Sequence, residues 1–154
     1  MVSRQLGRAA RPFRGVAVRC PYGFPAVTEQ APFGPAGEPF PTTYYLTCPW
    51  LVSALARVEA AGGVERWSQA AVEDPELRTS LARADREQRE LRPELDVGIA
   101  GTRSPEKLKC LHAHAAFALA RPGYELGERI LDEVDERWCP DARCGREQPG
   151  KGRS

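Results

Sequence analysis

No Cys-x-x-Cys pair occurs anywhere in the 154-residue chain, and no apolar run approaches membrane-spanning length. The first absence removes thioredoxin-type redox motifs, and of the paired C-x2–4-C knuckles of zinc ribbons and fingers only Cys139-x4-Cys144 comes close. The second removes a transmembrane helix, which needs about 20 apolar residues. The longest such stretch, residues 113–120, is short and broken by His114. No signal-length hydrophobic segment follows Arg4, Arg8, Arg11 and Arg14, so the expected localisation is cytoplasmic. Charge of one sign is lacking too. A formal net charge of +1 leaves no electrostatic footprint for nucleic acid or an anionic membrane, and neither is expected as a partner. Glycine-rich phosphate loops are missing, since Gly98-Ile-Ala-Gly101 resembles an anion-binding turn only loosely. There is no internal repeat.

What is present is ordinary globular composition, with 42% hydrophobic and 28% charged residues. This length supports one domain with a real core, expected over residues 1–145, followed by a polar tail at 146–154. Residues 15–20 and 25–29 alternate as short strands around the turn chemistry of Pro21-Tyr-Gly-Phe24. Four prolines and two glycines in residues 31–41 exclude a helix there, and extended residues 42–46 form a third strand. Helices follow. Pro49 opens one that Gly62-Gly63 stops, residues 64–72 make a second, and Asp74-Pro75 caps a third running to about Leu91. Ser104-Pro105-Glu106 predicts the start of a fourth that carries Cys110, and a fifth runs from Tyr124 to about Trp138. The fold class expected is α+β: a small, mostly antiparallel N-terminal sheet packed against four or five helices. The charge-rich stretch 83–94 reads as a solvated helix face, with a protein partner as the alternative.

Five cysteines and the chain's two histidines fall into short clusters, and Cys20, Cys48 and Cys139 each precede a proline. In a reducing compartment an odd cysteine count argues for metal binding, catalysis or burial over disulfides. On a regular helix Cys110 and His114 lie one turn apart on one face. Cys20 ends a strand and Cys48 precedes a helix, where backbone N–H groups stabilise a thiolate. The constellation expected is Cys20, Cys48, Cys110 and His114 around one tetrahedral zinc ion. His112 joins only if the first turn of its helix is irregular. An iron–sulfur cluster on Cys20, Cys48, Cys110 and a C-terminal cysteine ranks lower, because ferredoxin spacing is absent. Against these stands a plain reading, with the cysteines as small buried hydrophobes and one histidine satisfied in the core. A further alternative is a thiol- or metal-dependent enzyme or small-ligand binder. It would use a cleft near Cys20, Cys48 and His114, with Arg19 as polar contact.

Four motifs together resemble one bacterial family, domain of unknown function 501. They are Arg4-Gln-Leu-Gly7, Cys20-Pro-Tyr-Gly-Phe-Pro-Ala-Val27, Pro39-Phe-Pro-Thr-Thr-Tyr-Tyr-Leu-Thr-Cys-Pro49 and Lys109-Cys-Leu-His-Ala-His114. The likeness extends from about Arg4 to Cys144 and implies no established activity. The reading that results is a small cytoplasmic protein with a structural or functional Cys/His zinc site, the alternatives being the enzyme or ligand binder above and a metal-free interaction protein.

Overall fold

Three strands and five helices, followed by one C-terminal helical turn, make up the computed structural model, which describes residues 13–103 and 108–146. The basic N-terminal segment, the start expected for the fourth helix at residues 104–107, and residues 147–154 of the tail lie outside the described residues. Strand β1 (Phe13–Arg19) pairs antiparallel with β2 (Pro25–Gln30), which pairs antiparallel with β3 (Tyr44–Leu46). The turn closes as the local chemistry demands: Gly23 takes φ +89°, Cys20 N–H donates to Phe24, and Gly23 N–H donates to Cys20. As the central strand, β2 is buried at Ala26, Val27 and Thr28, whereas β1 forms a more exposed edge.

Helices α1 (Pro49–Ala60), α2 (Gly63–Glu73) and α3 (Pro75–Leu91) start and stop near the signals in the sequence. Asp74 caps α3 by accepting from the N–H groups of Glu76 and Leu77, a contribution of about 1 kcal/mol. Helix α4 (Leu111–Ala120) is apolar nearly all round, so it takes the centre of the molecule. It packs on β3, on α1 and on α5 (Glu125–Asp132). The close approach to α5 requires Gly127, where a Cβ would come within 2.6 Å of the Ala118 Cβ and 2.7 Å of the His114 carbonyl. Tyr44, Phe117 and Tyr124 meet edge to face at 5.6 and 5.8 Å, joining sheet, α4 and α5 through one aromatic column. This is an α+β fold.

Two helix boundaries differ from expectation. The fourth helix carries no cysteine, because Lys109 takes φ +67° and Cys110 is extended, so helical geometry begins at Leu111. The fifth ends at Asp132, not near Trp138. Its last N–H bonds tighten to three-residue spacing, and the chain turns across α1, where Trp50 Nε1 donates to the Glu136 carbonyl. A short turn α6 (Arg143–Arg146) closes the described chain.

Candidate metal centre

The strained step at Lys109 organises the site. A left-handed non-glycine residue costs energy, and here it folds Cys110 N–H back onto the Leu108 carbonyl at 2.7 Å, a three-residue turn. The turn places Cys110 just outside α4 and His112 on its first turn. Packing of α1 on α4 supplies the third group, Glu59. Among the described residues, Glu59, Cys110 and His112 are the one trio of potential ligands with donor atoms all within 4.8 Å of one another.

The hydrogen bonds orient the imidazole. Its Nε2 lies 3.0 Å from the Val52 carbonyl, which only accepts, so Nε2 carries a proton and donates. Nδ1 therefore faces Glu59 Oε2 at 3.2 Å and Cys110 Sγ at 3.8 Å. Glu59 Oε2 also accepts from Leu111 N–H at 2.8 Å, standing in for the side-chain cap that Cys110 does not provide. His112 is pushed up to about 9, first by its hydrogen bond with Cys110, with the Val52 carbonyl and Glu59 adding to it and burial opposing. A neutral Nδ1 and a carboxylate oxygen both present lone pairs, so at 3.2 Å they need a cation between them. A proton on Nδ1 meets that need for one pair; a metal ion meets it for all three donors.

Two of the three separations can be set against those of a tetrahedral site. Tetrahedral bonds of about 2.0–2.3 Å put neighbouring N, O and S ligands about 3.3–3.6 Å apart. The observed separations of 3.2 and 3.8 Å bracket that range. The Val52 carbonyl, holding the second ring nitrogen, is the kind of outer partner that fixes a metal-binding histidine.

Of the five residues expected to bind metal, Cys110 and His112 come together through the irregular first turn. His114 stays apart. It is fully buried, its Nε2 donates to the Leu108 carbonyl at 3.2 Å, and its Nδ1 accepts from the Tyr124 hydroxyl at 2.7 Å. Burial pushes it down to about 4. Cys20 closes the β1–β2 turn and packs against the edge of the core. Cys48 is buried at the start of α1, where burial raises its thiol and the N–H groups of Trp50 and Leu51 oppose that rise. Cys144 and Cys139 are the cysteines near it. Among the described residues neither Cys20 nor Cys48 belongs to a trio with Cys110. Arg19 donates to the Gly23 carbonyl at 2.9 Å. Two cavities have other linings: one sits between α3 and the α4–α5 turn, the other between α1 and residues 133–136.

The sequence reading missed Glu59, the one acid of α1 and close to its C-terminal end. It also missed a buried polar brace behind the sheet. Gln88 accepts from Thr43 Oγ1 at 3.0 Å and donates to the Pro41 carbonyl at 2.9 Å, while buried Arg92 donates to the carbonyls of Gln30 and Thr42. These bonds pin the end of the proline-rich loop to α3.

The family model described as "Protein of unknown function (DUF501)" matches residues 16–96, which is 81 of the 154 residues. The chain belongs to that family. The matched region includes Cys20, Cys48 and Glu59, and Cys110, His112 and His114 lie beyond it. Neither the curated proteins nor the solved structures give a match. No helix among the described residues is long and apolar enough to cross a membrane.

Proposed function

We propose that this member of the family holds one zinc ion on Glu59, Cys110 and His112, tying α1 to the start of α4. The observation that carries the reading is the convergence of three potential donor atoms within 4.8 Å, with His112 Nδ1 and Glu59 Oε2 3.2 Å apart. Cysteine thiolate, imidazole and carboxylate are all zinc ligands, and three of them leave a fourth position for water or another group. Binding would contribute directly to folding stability, because the unfolded chain does not assemble the three donors. The odd number of cysteines supports a reducing, cytoplasmic compartment.

Elemental analysis of the purified full-length protein tests this. About one equivalent of zinc is expected, falling towards zero in Cys110→Ser and in His112→Gln and remaining in His114→Gln. A folded wild-type protein that binds no zinc when dialysed against it overturns the reading. Native alkylation adds a check: zinc protects Cys110 from the reagent, and a chelator exposes it.

A further inference from the structure

A second site lies away from the metal centre, where α3 faces the turn between α4 and α5. Pro122-Gly123 breaks the helical path, with Gly123 at φ +108°, and the chain swings outward before α5 begins. The resulting cavity measures about 500 Å³, within the size range of small-molecule sites. Small residues, Ala84 and Ala120, leave this space unfilled, and the buried ring of Tyr124 forms part of its lining.

The charges around the cavity are unequal. Arg83 and Arg121 both line it, and one carboxylate, Glu87, lines it with them. Arg121 Nε lies 3.5 Å from Glu87 Oε1, and the Tyr44 side chain lies near its guanidinium. Arg83 Nη2 reaches the Gly123 carbonyl at 3.4 Å. These contacts are long and few for two groups that each carry five N–H donors. Two guanidinium forks against one carboxylate leave the lining one positive charge in excess. The planar fork matches the paired oxygens of a phosphate or carboxylate. We infer that this cavity binds a small organic anion through one phosphate or carboxylate group, held by Arg83 and Arg121 with Glu87 as the opposing charge. The site shares no residue with the proposed zinc centre and does not depend on it.

Titrating the full-length protein with sodium phosphate and, separately, sodium acetate at constant ionic strength tests the inference. Backbone amide NMR signals of Gly123 and Tyr124 should shift saturably with at least one probe. Arg83→Gln and Arg121→Gln should each weaken binding about tenfold, as loss of a charge-assisted bond implies. Glu87→Gln should tighten it, because it removes the competing carboxylate. Saturation by phosphate alone assigns a phosphate ligand and saturation by acetate alone a carboxylate. Shifts that never saturate, or binding equal in wild type and both arginine variants, overturn the inference. A thermal melt of each variant separates lost binding from lost fold.

Discussion

His112 and His114 lie two residues apart on one helix, and each donates from Nε2 to a backbone carbonyl, Val52 for one and Leu108 for the other. They differ in what meets Nδ1. At His114 it is a hydroxyl that donates, so the lone pair is satisfied and a neutral ring is stable in full burial. At His112 it is a carboxylate and a sulfur, which in the metal-free protein hold a proton on Nδ1. One ring moves down to about 4 and the other up to about 9. Residue type and helix therefore do not decide how the two rings differ. Burial lowers His114, and the contact with Cys110 raises His112.

The contrast breaks most severely by truncating the buried ring. His114→Ala leaves Tyr124 and the Leu108 carbonyl without their partner and opens a cavity in the core. A loss of about 3–5 kcal/mol is expected in urea unfolding. His112→Ala in metal-free protein above pH 9, where the ring is neutral, should cost far less, since its side chain retains 22% exposure. Equal losses would contradict the contrast.

Acid sharpens it next. His114 binds its proton less readily folded than unfolded, so its contribution is present above pH 6.5 and is lost as pH falls towards about 4. That loss is on the order of 3 kcal/mol in wild type and should be absent from His114→Gln, as unfolding at stepped pH can show. The alkaline side runs oppositely. In metal-free protein His112 binds its proton more readily when folded, so its contribution is present below pH 6.5 and is lost as pH rises towards about 9. Cys110→Ser should pull that titration downward, because the Cys110 contact is the largest cause of the upward shift.

The smallest effect expected is that of Glu59→Gln. It removes the charged acceptor at Leu111 N–H and should cost metal-free protein about 1 kcal/mol in a thermal melt. Zinc content should fall in the same variant. A variant that loses stability and keeps full zinc would reduce Glu59 to a helix cap.

Much of the fold was legible because its signals are local. Pro49, Gly62-Gly63 and Asp74-Pro75 act within a few residues of themselves, and the helices follow them closely. The α4 boundary was not legible, because it rests on the left-handed Lys109, a conformation that no local residue type demands. That one dihedral decides whether Cys110 shares a helix face with His114 or meets His112. Glu59 was hidden for a different reason: it reaches the site through α1–α4 packing, 51 residues before Cys110 in sequence. The polar brace of Gln88 and Arg92 likewise depends on where a loop lands.

The central claim is that His112 Nδ1, and not His114, presents its lone pair to a metal. Nitrogen-15 NMR of the two imidazoles, with and without one equivalent of zinc, measures this directly. On adding zinc, the account predicts a coordination shift at His112 Nδ1 and unchanged signals from His114. A shift at His114, or none at either ring, would contradict it.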